Sequence, residues 1–277
     1  MQDIKKKYWL EKFDCFSVTG KDSRKFLNGI TTGNILNSEN KVIKTCWLTP
    51  NGVLRSLIEI IFSERYLEVI ILAGNTNEII DYFNQIIFPS DDVLLSEPFL
   101  INRIQEIDEF SSWRNYQPIF FKKENEKFEI YKNKLNLLNA NDLKLWKVNQ
   151  AIPSFELEIN GKNNPLELGL KDLVDFNKGC YLGQETMSKI RNVSSKQEIR
   201  VWLSNISDVN LDVGDKNLYL NSAKEISVGK ITSFFKSDSQ IKGLAMIKRK
   251  YLEQVSYFYS EIFGKVLINK SVGSIFL

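Results

Sequence analysis

Two hydrophobic periods run along this chain of 277 residues, and the switches between them predict most of its elements. Cys15-Phe16-Ser17-Val18 reads as a short strand. Lys21-Asp22-Ser23 then opens a helix with Phe26, Leu27 and Ile30 on one face, and Asp22 or Ser23 can cap it. Val42–Leu48, Val53–Phe62 and Tyr66–Leu72 are rich in β-branched and aromatic residues and read as strands, with a hairpin signal at Asn51-Gly52. Ile79, Ile80, Phe83, Ile86 and Ile87 shift to helical spacing, with Asn75 or Thr76 as the cap. Strand signals return at Val93–Leu95, Phe99–Ile107, Ile119–Phe121 and Lys127–Tyr131. A helix is expected over Asn141–Gln150, a loop-rich stretch over 156–171, a helical turn over Leu170–Phe176 and a helix over Glu185–Ile190.

Past residue 197 short apolar runs recur at regular intervals: Ile199–Ile206, Lys216–Leu220, Ile226–Phe235, Lys242–Ile247 and Glu261–Ile268. Gly214, Gly229, Gly243 and Gly264 punctuate them, the texture of a small all-β barrel or sandwich. The reading is therefore an α+β chain with one region over 1–196 and a β-barrel domain over 197–277. There is no internal repeat.

Composition narrows the chemistry. The net charge is only +3, which gives little support to direct nucleic-acid binding, and Lys122-Lys123 and Lys248-Arg249-Lys250 read as solvated faces. Histidine is absent altogether, which removes Ser–His and Cys–His dyads and the commonest metal ligand. Three widely spaced cysteines, Cys15, Cys46 and Cys180, form no CxxC pair, so no metal site is expected and a reducing compartment is. The longest apolar stretches, such as Leu57–Phe62 with Glu59 inside, are too short to span a bilayer, and the N-terminus lacks a signal-peptide core. The expectation is a cytoplasmic protein without a membrane partner.

The densest chemistry is at Lys178-Gly179-Cys180-Tyr181-Leu182-Gly183-Gln184-Glu185. Two glycines relax the backbone around one thiol. Cys180 is either a buried small hydrophobe or a thiol stabilised by a helix start and the Lys178 ammonium. Tyr181 is either core or a stacking face for a planar ligand. Gln184 and Glu185 either serve the helix start or a ligand. Cys15 and Cys46, in apolar strand contexts, read as core.

That octapeptide resembles the KGCYxGQE signature of the YgfZ family of folate-binding proteins, within the superfamily of the glycine cleavage T-protein. The similarity extends weakly to Val18–Leu27 with Thr31-Thr32, to Asn164-Pro165-Leu166-Glu167, and to Gly229–Ser233 with Leu244–Ile247. The resemblance implies a three-lobed T-protein-like ring: two mixed α/β lobes, the first discontinuous, and a small C-terminal β-barrel. It also implies tetrahydrofolate or a one-carbon derivative as ligand, and a role in iron–sulfur cluster assembly or repair beside partner proteins. Two alternatives stand: a folate-dependent aminomethyl transferase, and an accessory to tRNA modification. Cys180 and Lys178 are the expected catalytic pair. Glu167 and Glu129 are candidates for the pterin, Tyr181, Gln184 and Glu185 for further folate contacts, and Lys178, Lys189 or Arg191 for the tail.

The chain also departs from its relatives. Where the T-protein carries an Asp-Asp pair, one of the two its catalytic carboxylate, this sequence reads Gly52-Val53-Leu54-Arg55-Ser56-Leu57. Lys147 and Ala151 stand where the family has an arginine and a glycine, which questions the salt bridge and tight turn built there.

Overall fold

The computed structural model describes residues 6–38, 41–108, 111–191, 198–205, 215–236, 241–252 and 255–272. The chain divides into two compact units. One comprises Met1–Leu143, Ser154–Lys162 and Asp172–Ser188; the other comprises Lys144–Pro153, Asn163–Lys171 and Lys189–Leu277.

The first unit is built on an antiparallel sheet. Its strands are β1 (Lys7–Thr19), β2 (Val42–Leu48), β3 (Leu54–Phe62), β4 (Tyr66–Ala73), β5 (Leu94–Leu95), β6 (Phe99–Ile107) and β7 (Ile119–Phe121). The order is β2-β3-β4-β1-β6-β7, with β5 also on β1. Strand β1 is far longer than Cys15–Val18, because it serves two partners in succession. Lys7–Cys15 pairs with β6 and Cys15–Thr19 with β4. Helices α1 (Ser23–Ile30) and α2 (Thr76–Ile86) place Leu27, Ile79 and Phe83 against Phe16, Ile58, Ile60 and Val69. Phe83 meets Phe16, Phe26 and Trp47 edge-on, an arrangement the ring quadrupoles favour. Asn75 caps α2 by accepting the Glu78 N–H at 3.1 Å, as its sequence position predicts.

Alternate residues of the same strands form another apolar cluster from Cys15, Ile70 and Ile101. Charge is buried in this sheet as well. Arg103 donates to both Glu59 carboxylate oxygens at 2.7 and 2.8 Å and also to Gln105, and its guanidinium lies 4.3 Å from the Trp9 ring. Lys44 sits 3.6 Å from Glu59 and donates to the Tyr116 carbonyl. Burial alone would raise the Glu59 carboxyl, but the charges and hydrogen bonds of Arg103 and Lys44 outweigh it and hold the group below its usual range.

The segment Lys127–Tyr131, expected as a strand, is the helix α3 (Glu126–Lys132). Asn125 caps it at the Phe128 N–H, and Phe128 and Tyr131, three apart, both meet Phe121 while Ile130 faces solvent. A five-residue window is too short to separate the two periods.

The second unit is a closed barrel of β8 (Glu198–Asn205), β9 (Asn217–Tyr219), β10 (Ser227–Lys236), β11 (Ile241–Lys248), β12 (Tyr257–Ser260) and β13 (Gly264–Ser271). The order is β10-β11-β8-β13-β12-β9, and the interior is filled by Val201, Leu203, Ile231, Ile247 and Phe258 among others. The α+β class with a small C-terminal barrel is thus as read from the sequence. Tyr257–Ser260 was not among the strands read from the sequence, yet its aromatic run closes the barrel between β9 and β13. The turn in question at Ala151 is built despite its Cβ, with φ at 48°. Arg200 supports it from β8 by donating to the Ala151 carbonyl at 3.0 Å and the Ile152 carbonyl at 3.4 Å.

Candidate functional site

The octapeptide is a turn leading into α5 (Gln184–Ile190), and the first unit pins it at three points. Asp175 is tied to the Thr32 carbonyl through its own N–H, and its side chain accepts the N–H groups of Asn177 and Lys178. Lys178 is buried, and its Nζ donates to the carbonyls of Asn28, Thr31 and Gly33, each at 2.6 Å. Leu182 N–H donates to the Gly29 carbonyl, and Gly183 adopts φ of 83° against the β2–β3 turn. A Cβ at Gly183 would stand 2.7 Å from the Thr49 carbonyl oxygen, so glycine is required there.

Between these pins Gly179 and Cys180 stand exposed, and a Cβ at Gly179 would point into open space. The contrast with the other thiols is sharp. Cys15 and Cys46 are core, and burial pushes both upward, Cys46 to about 12. Tyr181 is turned inward, with its ring 5.1 Å from Lys178 Nζ and its hydroxyl unpartnered among the described residues. Burial pushes that hydroxyl up to about 12, so it remains a neutral phenol at neutral pH. Gln184 reaches back to the Lys178 carbonyl at 3.4 Å.

The structure therefore gathers Lys178, Tyr181 and Gln184 into one contact set beside exposed Cys180. Glu185 is exposed in the first turn of α5, Lys189 in its last, and Arg191 just beyond it. Glu129 lies elsewhere, on α3, in an ion pair with Lys132. Glu167 belongs to the barrel's unit, where its carboxylate accepts the Asn164 N–H at 3.1 Å.

A cleft of about 300 Å³ opens in the first unit, lined by Leu54, Arg55, Glu78, Phe155, Glu156, Ile159, Asn160 and Gly161. Leu48 pairs with Leu54 and Trp47 with Ser56, so Arg55 is the extra residue of a β-bulge on β3. That bulge aims its guanidinium at Glu78 of α2, and the two form an ion pair with a third or more of each side chain exposed. The opposite wall is a tight loop in which Ser154 binds the buried Glu158 carboxylate, with Glu156 at φ of 67° and Phe155 exposed. The sequence singled out Arg55 and a loop-rich stretch over 156–171; it carried no signal that joins them to Glu78 or Phe155. The cleft and the signature turn share the β2–β3 hairpin, because Gly52 packs on both Gly183 and Thr186. Among the described residues no group of three or more Cys, Asp or Glu could hold a metal ion, and no helix is long and apolar enough to cross a membrane.

No protein-family profile matches the chain. A chloroplastic protein of Arabidopsis thaliana, whose name reads "putative transferase", is 29% identical over 106 residues, 38% of this chain and 23% of that protein. The chain thus spans about a quarter of that relative. Among solved structures, the glycine cleavage system aminomethyltransferase T of Bartonella henselae superposes with a TM-score of 0.70 at 10% identity, covering 95% of this chain and 85% of that one. The chain has the fold of that aminomethyltransferase.

Proposed function

We propose that this protein binds tetrahydrofolate and uses Cys180 in the assembly or repair of iron–sulfur clusters on partner proteins. The observation that carries the reading is the mounting of Cys180. Within a T-protein-type fold, the signature turn is held at both ends and presents its one cysteine to solvent. A turn needed only for packing has no reason to expose a thiol on so fixed a base.

The cleft suits the ligand by its donor set. Phe155 offers an exposed apolar face to a flat ring, with Leu54 buried beneath the cleft. The carboxylate of Glu156 matches an edge of amino and ring N–H donors, as in the aminopyrimidinone half of a pterin. Arg55, in an exchangeable pair with Glu78, matches a carboxylate of the tail. Glu156 thus suits the pterin better than Glu129 and Glu167, which are engaged by Lys132 and Asn164. Tyr181, Gln184, Glu185 and Arg191 remain proposed contacts around the turn. Bound tetrahydrofolate supplies a reduced pterin and a carrier for a one-carbon unit. Cys180 acts as a soft ligand toward an iron atom of the cargo: its proton passes to solvent and the thiolate sulfur replaces a water or other exchangeable ligand on that iron. A single thiol cannot hold a cluster, so the other ligands come from the partner, glutathione or a second chain.

Calorimetric titration with tetrahydrofolate tests the first half. Binding is expected, weakened about tenfold in Arg55→Ala by loss of one charge-assisted contact, and unchanged in Cys180→Ser. No heat and no protection at high micromolar ligand sinks the folate reading. In a strain lacking the protein, Cys180→Ser is expected to leave iron–sulfur enzymes inactive; full rescue removes Cys180 from the mechanism. Aminomethyl transfer to folate by the purified protein would replace this reading with a transferase.

A further inference from the structure

The Lys178 ammonium was expected to steady the thiolate of Cys180, and its surroundings argue for a different task. An ammonium has three protons and no acceptor. At Lys178 three carbonyls, those of Asn28, Thr31 and Gly33, converge on Nζ at 2.6 Å each. These carbonyls belong to the last turn and exit of α1, where a helix leaves oxygens without intrahelical partners. Lysine near a helix C-terminus is favoured by the helix dipole as well. Aromatic cover comes from the Tyr181 ring at 5.1 Å, and Lys178 is 7% exposed. Around this point Thr32 ties α1's exit to β2 and the turn: its hydroxyl donates to the Leu173 carbonyl at 2.7 Å and accepts the Cys46 N–H. Thr32 N–H donates to the Cys46 carbonyl at 3.0 Å, which orients the Thr31 carbonyl of the same peptide plane.

We infer that Lys178 is a positioning residue, a latch that caps the end of α1 from the signature turn and so holds the Gly179-Cys180 knuckle in its exposed pose, without taking part in acid–base or electrostatic activation of the thiol. The inference deepens the proposed role of the turn, but it stands on this hydrogen-bond set alone and needs neither folate nor a cluster. It has a chemical corollary. Cys180 has no activating proton acceptor in Lys178, so its proton passes to solvent as a soft acid that arrives with the substrate or partner takes the thiolate sulfur.

The test compares wild type with Lys178→Met and Lys178→Arg by two readouts on intact protein. One is the pH dependence of Cys180 alkylation by iodoacetamide, read by peptide mass spectrometry, with Cys15 and Cys46 shielded in the core. The other is amide hydrogen exchange over residues 175–183. The latch predicts that Lys178→Met leaves the midpoint of the alkylation profile within about 0.3 pH unit while speeding local exchange about tenfold or more, with distant strands unchanged. Arginine keeps the charge, but its planar fork cannot converge on three carbonyls around one nitrogen, so it should speed exchange as methionine does. Should Lys178→Met fail to fold, Lys178→Arg alone decides. Two results overturn the proposal: a midpoint raised by about one unit in Lys178→Met and restored in Lys178→Arg, or wild-type exchange in Lys178→Arg. Either outcome leaves the folate titration and the Cys180 rescue untouched, so failure here is distinct from failure of the proposed function.

Discussion

Strand β3 carries two ion pairs, and they behave as opposites. Glu59 is fully buried, gripped through both oxygens by Arg103 and approached by Lys44. Arg55, four residues earlier, sits on a bulge and meets Glu78 at the rim of a cleft with much of each side chain in water. A buried pair must be complete, since removing one partner strands a charge in a medium that cannot solvate it. An exposed pair is worth little to stability because water and salt compete for both ends. One strand therefore holds a locked charge cluster that specifies the sheet and a loose pair that a ligand can exchange.

The largest effect should come from breaking the locked pair. Glu59→Gln leaves Arg103 and Lys44 uncompensated and should cost about 3–5 kcal/mol in urea unfolding. Arg55→Ala and Glu78→Ala should each cost no more than about 1 kcal/mol. Equal costs at the two sites would break the comparison.

Acid titration should sharpen it further. The native carboxyl of Glu59 is held below its ordinary value of 4.5, so its contribution is present above that value and is lost as pH falls through the lower native one. Unfolding measured from neutral pH downward should lose stability over that range in wild type, and the acid limb should be shallower in Glu59→Gln. An unchanged limb would mean the carboxyl is not held charged by its neighbours.

The smallest stability effect, and the most informative for ligand binding, is expected from salt. Raising ionic strength should hardly alter unfolding of the wild type relative to Arg55→Ala, yet it should weaken tetrahydrofolate binding through competition at Arg55. A salt-independent affinity would remove Arg55 from the tail site.

Local patterns were legible where a segment makes its own structure. The strands at Val42–Leu48 and Tyr66–Ala73, the Asn75 cap, the turn at Gly52 and the core places of Cys15 and Cys46 follow from alternation, capping chemistry and apolar context. Where a segment depends on partners, the sequence was silent or misleading. Tyr257–Ser260 is a four-residue aromatic run whose place in the barrel is set by β9 and β13 on either side, and Lys127–Tyr131 becomes a helix because Asn125 caps it and Phe121 receives its face.

The same division runs through the site. By itself the sequence determined that residues 178–185 are its densest run of reactive and hydrogen-bonding side chains and that no histidine of this chain can serve there, because residue identity and spacing are covalent facts. The tertiary structure decided where those residues stand. It buried the cation of Lys178 against three carbonyls of α1, turned Tyr181 inward, left Cys180 in water, and brought Arg55, Glu78, Phe155 and Glu156 around one cleft. Burial and hydrogen-bond partners arise from segments up to 150 residues apart along the chain, as Lys178 and Asn28 are. No local pattern encodes where such segments meet.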